Sequence, residues 1–291
     1  MSATPLVTIG LPVFNREQFV RQSIESLLNQ TFRDFQLIIS DNASTDSTGM
    51  ICEEYARKDP RVRYFRNAEN IGNPGNFNRI FSLSQSPYLK WSTSDDYWAP
   101  TMVEKALEIM EADRSIVLCY PKTTIVDREG ENPQPYEDNL HLVSDDPKER
   151  FIQLLTRIGL AHQHTGLIRA ESLSRTHLLG RYPGSDVALL AELTLYGKFY
   201  EIPERLYFRR FHEESGSWLR NSKEHQAKFY LSSKSSKLGM NRWRRYLALT
   251  AAVHAAPIGL RNRWSLYRHI GRLMRWERNY LFNEVTEQFK Y

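Results

Sequence analysis

Residues 6–48 read LVTIGLPVFNREQFVRQSIESLLNQTFRDFQLIISDNASTDST, and this stretch decides the fold class. Residues 6–13 form a β-rich apolar run that stops at Phe14-Asn15 and predicts a buried strand. Over residues 17–30 the apolar side chains Phe19, Val20, Ile24, Leu27 and Leu28 recur at helical spacing. Residues 35–40 predict a second buried strand, and Asp41-Asn42-Ala43-Ser44 supplies turn and capping chemistry after it. The alternation continues outward with a helix over 46–58, a strand over 62–66, a Gly/Pro/Asn loop over 70–75 and a helix over 76–84. A strand over 88–92 then runs into Thr93-Ser94-Asp95-Asp96, a helix follows Pro100, and 116–120 predicts another strand. Strands alternating with helices through short loops predict an α/β fold with a mostly parallel, Rossmann-like sheet and flanking helices. Ligands of such sheets sit beyond the C-terminal ends of the strands. Asp41 and Asp95-Asp96 both follow strands directly, so the sheet would carry them to one edge.

Residues 121–147 are polar and Pro-rich and predict a connector or hairpin, followed by helices over 151–160 and 186–196. Helical patterning dominates from Ser222 onward. Charge divides the chain in the same place. Residues 1–219 carry 24 Lys/Arg and 30 Asp/Glu, whereas residues 220–291 carry 15 and 4. A slightly acidic body thus bears a strongly basic extension, which suits an anionic partner or a solvated helical face. The two cysteines, Cys52 and Cys119, and the absence of CxxC exclude a disulfide framework and a zinc ribbon. A reducing, cytoplasmic location is expected, with no signal peptide and no membrane-spanning segment.

Adjacent aspartates at a strand end offer hard oxygen ligands for Mg²⁺ or Mn²⁺, although most such pairs cap helices or face solvent. Here Asp95-Asp96 follows the apolar YLKWSTS and precedes Tyr97-Trp98-Ala99-Pro100, which would wall a pocket. Neither a phosphate-binding G-x-x-x-x-G-K-[ST] loop nor a GxGxxG after the first strand is present, which disfavours P-loop and dinucleotide-binding classes.

The stretch LPVFNREQFVRQSIESLLNQTFRDFQLIISDNASTDST resembles the opening of family 2 glycosyltransferases of the GT-A fold. NIGNPGNFNRIFSLSQSPYLKWSTSDD is similar to that family's Asn-x-Gly loop, helix and DxD-like metal motif. GSDVALLAELTLYGKFYEIPERLYFRRFHEESGS resembles its acceptor half, where an Asp opens a helix and a late His closes the site. The resemblance spans about residues 5–217 and rests on three motifs in the right order. It implies a GT-A catalytic domain over 1–219, with a nucleotide-sugar half at 1–120 and an acceptor half at 121–219. A basic helical extension occupies 220–291.

The resemblance assigns roles residue by residue. Asp41 would accept hydrogen bonds from the nucleobase, with helix capping as the plain alternative. Pro12, Phe14 and Asn15 would line base and ribose, or simply form a turn. Asp95 would contact ribose and diphosphate, and Asp96 would bind the divalent metal, Mn²⁺ or Mg²⁺, with His212 completing the metal shell. Arg79, Arg209 and Arg210 are candidates for phosphate, with a surface ion pair the favoured reading for Arg79. Asp186 would be the general base of an inverting transfer, and as the first carboxylate of a helix it also suits the N-terminal dipole. The family's acidic pair stands here as Ser185-Asp186, so that role rests on Asp186 alone. His164 and Trp98 would lie on the acceptor side.

These roles imply a nucleotide-diphosphate sugar donor, UDP-linked by resemblance, and a saccharide or lipid-linked saccharide acceptor in surface-glycan synthesis. A protein that keeps the fold and binds a nucleotide or carbohydrate without catalysis is the alternative. In the extension, residues 240–256 and 263–282 combine tryptophan, tyrosine and arginine. That pattern suits peripheral attachment to an anionic membrane, a helical subdomain packed on the core, or a homodimer contact. No nucleic-acid-binding motif accompanies the charge, so no specific nucleic acid is expected.

Overall fold

The structure, a computed structural model, describes residues 4–213, 229–231 and 239–288. The strands β1 (Val7–Val13), β2 (Phe35–Asp41), β3 (Val62–Arg66) and β4 (Tyr88–Trp91) pair in parallel in the order β3-β2-β1-β4. All seven residues of β1 and of β2 are buried, which is why these strands read as nearly continuous apolar runs. Beyond β4 the sheet becomes mixed. Antiparallel β8 (Leu167–Arg169) joins β4 to β6 (Ile116–Val126), and β9 (Lys198–Arg210) pairs in parallel with β6. The two-residue β5 (Tyr97–Trp98) closes the far edge on β9, and β7 (Gln134–Tyr136) forms a hairpin with β6.

Helices cover both faces. On one, α1 (Val20–Leu28), α2 (Thr48–Lys58) and α4 (Met102–Ala112) bury Ile24, Leu27, Cys52, Val103 and Met110. On the other, α3 (Asn73–Leu83), α5 (Pro147–Arg157) and α7 (Ser185–Thr194) bury Ile80, Phe151, Leu154 and Leu189; the short α6 (Ala170–Ser174) follows β8. Gly10 lets α3 lie directly on β1, since a Cβ there would sit 2.2 Å from Ile80 Cγ2. The C-terminal helices α8 (Asn241–Ala255), α9 (Leu260–Trp276) and α10 (Arg278–Gln288) belong to this second core through Leu249, Val253, Leu266, Ile270 and Leu281. Both cysteines are free and buried. Among the described residues, no helix is long and apolar enough to cross a membrane.

Several element boundaries depart from the sequence reading for identifiable reasons. Helix α3 begins at Asn73, three residues early, because Pro74 occupies its first turn, where a missing N–H costs nothing. Strand β6 continues through Pro121, which sits at a register shift against β9, the kind of place where a strand tolerates proline. The helix expected over 263–282 is two helices, with Glu277 at the joint held by Arg242 and Arg245 of α8 at 3.1 and 3.0 Å. The 13-residue β9 was not anticipated as a strand. The expected boundary at 219/220 and the helical patterning between 222 and 228 lie outside the described residues.

Candidate active site

A cavity of about 1,070 Å³, counting its open mouth, lies beyond the strand ends. Pro12 reaches it from the end of β1, Thr93 through Asp96 from the turn after β4, and Tyr207, Arg209 and Arg210 from the end of β9. His162 and His164 arrive on a 3-10 turn, His162–Thr165, and Asp186 on the first turn of α7. Phe77, Phe229 and Tyr230 form an aromatic wall. Residues as distant as Pro12 and Arg210 therefore converge because parallel strands end on one side.

The two adjacent aspartates have different environments. Asp96 is buried, and its Oδ1 accepts the Arg210 backbone N–H at 2.7 Å. Its Oδ2 accepts the hydroxyls of Thr93 and Tyr207. Burial, then the neighbouring charge of Asp95, pushes the Asp96 carboxyl up to about 6, against the Arg209 charge and these hydrogen bonds. Burial also acts to raise Asp95, but the His212 hydrogen bond and the Arg16 charge prevail and hold it below the ordinary range. His212 Nε2 lies 3.2 Å from Asp95 Oδ2, and Arg16 Nε lies 4.0 Å from the same oxygen. The structure thus brings His212 to Asp95 and not to Asp96, whose oxygens are already engaged by protein donors. The two adjacent carboxylates therefore differ in their protein partners, Asp96 facing Thr93, Tyr207 and the Arg210 amide and Asp95 facing His212 and Arg16.

Deeper in the cavity, His164 Nδ1 contacts the Ala161 carbonyl at 2.7 Å. Burial lowers the His164 pKa, with the Asp186 charge opposing that shift, and both side chains line the cavity. Asp186 Oδ1 accepts the Val187 N–H at 2.9 Å, which fixes the carboxylate at the start of α7. His162 is almost fully buried. Its Nδ1 lies 3.0 Å from Arg209 Nη1, and its Nε2 lies 2.7 Å from Asp138 Oδ2 and from Thr123 Oγ1. Burial lowers its pKa more than Asp138 raises it, so the ring is neutral near pH 7. A neutral ring that accepts from Arg209 at Nδ1 carries its proton on Nε2, toward Asp138. Arg209 also donates to the Leu160 carbonyl at 3.1 Å. Arg210 is committed elsewhere: its guanidinium donates to the Asp95 carbonyl and, at 2.6 Å, to Gln22 Oε1.

Pro12, Asp95, Asp96, His164, Asp186, Arg209 and Arg210 thus line one cavity, and His212 touches its edge through Asp95. Other expected residues do not line it. Asp41 is fully buried at the end of β2. Its Oδ1 accepts the Ser44 N–H at 2.9 Å, and its Oδ2 accepts Tyr64 Oη at 2.7 Å and Arg66 Nη1 at 2.6 Å. Phe14 is exposed, and Asn15, at φ 50°, ties β1 to the next turn through Thr45 N–H at 2.8 Å. Arg79 stands two residues after the wall residue Phe77, about 200° around α3 and so away from the cavity. Trp98, expected on the acceptor side, belongs to the core. It is 3% exposed, stacks on Tyr207 at 4.1 Å and donates Nε1–H to Ser92 Oγ at 2.9 Å. Strand alternation across β5 turns Trp98 inward and leaves Tyr97 on Phe208.

Sequence reasoning gave no role to Arg16, Thr93 or Tyr207 and read His162, with His164, only as packing or acceptor contact; all four line the cavity. Tyr207 was accessible in principle, because it precedes Arg209 by two in a strand and so shares its face. His162 and its partner Asp138 carried no local signal, since they meet only through the fold.

Comparison with known proteins agrees with this architecture. The chain is 28% identical over 254 residues to an Escherichia coli chondroitin synthase, matching 86% of this chain and 35% of that protein. It is 29% identical over 154 residues to an uncharacterized glycosyltransferase of Methanocaldococcus jannaschii, matching 52% and 53% of the two chains. It therefore spans about half the length of the second relative and about a third of the first. The fold is shared with S. aureus TarS in complex with UDP-GlcNAc, at a TM-score of 0.67 and 16% identity over 89% of this chain and 70% of that one. A mannosyltransferase of Pyrobaculum calidifontis in complex with GDP-Man and Mn²⁺ aligns at a TM-score of 0.55 and 14% identity, over 98% and 85% of the two chains. The fold is that of the GT-A glycosyltransferases. Residues 8–176, more than half of the chain, match the family described as Glycosyl transferase family 2, and the protein belongs to that family.

Proposed function

We propose that the protein is an inverting glycosyltransferase that moves a sugar from a nucleotide-diphosphate donor, a UDP-sugar, to a saccharide or lipid-linked saccharide in surface-glycan synthesis. The observation that carries this reading is the convergence of Asp95, Arg209 and Asp186, from three distant parts of the chain, on one cavity. The bound UDP-GlcNAc of TarS and GDP-Man of the Pyrobaculum enzyme support a nucleotide sugar as donor.

In this reading Asp186 takes the proton from an acceptor hydroxyl as its oxygen attacks the anomeric carbon. The bond from that carbon to the diphosphate breaks on the opposite side, with oxocarbenium character at the sugar. Arg209, aimed by His162, meets the negative charge that collects on the departing diphosphate, a task for which a guanidinium fork is well shaped. Asp95 and His212 would hold a divalent cation, Mn²⁺ or Mg²⁺. Their donor atoms are 3.2 Å apart, close to the roughly 3 Å between neighbouring ligands of an octahedral ion with ~2.1 Å bonds. Among the described residues no group of three or more His, Cys, Asp or Glu forms a closed metal cluster, so substrate oxygens and water would complete the shell. When bound, the ion supplies Lewis-acid stabilisation of the leaving diphosphate. Contact between Asp41 and a nucleobase N–H would require Arg66, half-exposed at its side chain, to yield Oδ2. The reading includes peripheral attachment at the cytoplasmic face of a membrane through residues 240–282, and a homodimer.

The test is Asp186→Asn, assayed with UDP- and GDP-sugars and Mn²⁺ against a saccharide mixture. Transfer is expected to fall by about 10²–10⁴, while the thermal shift produced by the free nucleotide diphosphate is unchanged. Full transfer by the variant would remove Asp186 from the chemistry. Nucleotide binding by the natural protein without transfer to any acceptor would favour the non-catalytic reading.

A further inference from the structure

Helix α9 has the sequence LRNRWSLYRHIGRLMRW, with five arginines and no acidic residue. Its inner side is fixed: Leu266 and Ile270 are buried in the core shared with α5 and α8. Arg263 is also turned inward, donating to the carbonyls of Val253 at 3.3 Å and Ala256 at 3.0 Å, where α8 ends. The remaining four arginines, Arg261, Arg268, Arg272 and Arg275, are all exposed. Leu260, Trp264 and Trp276 are exposed with them, at 70%, 66% and 86%. At 3.6 residues per turn these seven side chains fall within an arc of about 160° on one side of the helix. No described residue covers that side.

We infer that this outward face of α9 is a contact surface for anionic phospholipid bilayers, with the two tryptophans and Leu260 entering the interfacial layer and the four arginines pairing with headgroup phosphates. This deepens the membrane part of the proposed function and uses none of the cavity residues. Amphipathic aromatic rings and guanidinium groups on one helix face match a bilayer interface, where apolar bodies are buried and charged heads stay wet. A polyanion in water offers less, because Leu260 and the apolar bodies of Trp264 and Trp276 would stay hydrated against it. A second copy of the chain fits worse. A two-fold contact through this face sets arginine against arginine with no carboxylate from α9 to compensate.

The test is co-sedimentation of the full chain with phosphatidylcholine vesicles, with and without a third of phosphatidylglycerol. Two variants accompany the natural protein: Arg268→Gln/Arg272→Gln/Arg275→Gln, and Trp264→Ala/Trp276→Ala. All five positions are exposed, so both variants are expected to melt with the natural protein. Binding is expected only with phosphatidylglycerol and to weaken with salt. Removing three charges, each worth a few-fold in affinity at a membrane surface, is expected to weaken it about a hundredfold. The tryptophan variant is expected to lose binding at least tenfold and to keep the salt dependence. Equal pelleting of all three proteins, or equal binding to pure phosphatidylcholine, overturns the inference. So does tighter binding to a short DNA duplex than to vesicles at physiological salt, or a dimer in sedimentation that both variants dissolve without any vesicle binding. Vesicle binding by a protein that transfers no sugar would overturn the proposed function and leave this inference standing. Transfer activity without vesicle binding would overturn this inference together with the membrane attachment on which it rests, and leave the glycosyltransferase reading standing.

Discussion

Replacing His162 by alanine is expected to cost the fold about 3–5 kcal/mol, the range for emptying a buried ring-sized site, here with a carboxylate left without its hydrogen-bond donor. The side chains of His162 and Asp138 are 4% and 3% exposed, and their atoms meet at 2.7 Å. Asp138 Oδ1 has no hydrogen-bond partner, so the imidazole is the main polar neighbour of that carboxylate. With the ring gone, the carboxylate is left in the interior and a ring-sized cavity opens beside Thr123 and Tyr207. The acid side gives a second, independent check. Burial depresses the native pKa of His162, so its contribution to stability is complete above the unfolded value of about 6.5 and is lost as pH falls below it. That loss approaches 1.4 kcal/mol per pH unit for one proton. The stability gap between natural and His162→Ala protein, measured by urea denaturation, is therefore expected to narrow from pH 7.5 to pH 5.5. A cost below about 1 kcal/mol, or a gap that widens on acidification, would refute the reasoning.

Four further outcomes are expected. Asp95→Asn weakens Mn²⁺-dependent UDP binding at least tenfold with little change in melting. Asp96→Asn lowers stability by about 1–3 kcal/mol, because an amide offers one acceptor oxygen to three donors; the opposite pattern in paired thermal-shift assays would restore Asp96 as metal ligand. Lys90 is fully buried, with its amine 3.2 Å from the Thr165 carbonyl and from the Trp98 ring centroid. Burial drives its pKa well below normal, so the native state loses stability as pH falls below the unfolded value of about 10.4. Lys90→Met is accordingly expected to gain about 1–4 kcal/mol at pH 7 and less at pH 10, and a lower melting temperature at pH 7 would contradict this. Gly166→Ala places a Cβ 2.5 Å from the Cys119 carbonyl on β6, and is expected to cost about 1–3 kcal/mol in chemical denaturation.

The first half of the chain was readable because its strands are buried on both faces and its helices are amphipathic, so periodicity separates them cleanly. The second half was less so. Strand β9 alternates irregularly, carries Pro203 and changes register against β6 three times, so no clean period-two pattern marks it. The candidate site was legible wherever a functional side chain follows a strand or opens a helix, as Asp95 and Asp186 do. It was illegible where meaning depends on partners from elsewhere. Nothing in the local sequence distinguishes Asp95 from Asp96; the difference comes from Tyr207, Arg210 and His212, more than a hundred residues away. Trp98 lies in the core and not on the cavity for a related reason, since the direction of a side chain on a two-residue strand is set by packing and not by its neighbours in the chain.

The ligation of Asp96 by Thr93, Tyr207 and the Arg210 amide makes this carboxylate a keystone between the sheet edge and the closing strand. Loss of activity on changing it would then report a slackened frame, and a chain of this kind could retain its paired acidic signature after its chemistry had gone. Survival of the motif is evidence of architecture first, and turnover has to be established at the neighbouring position.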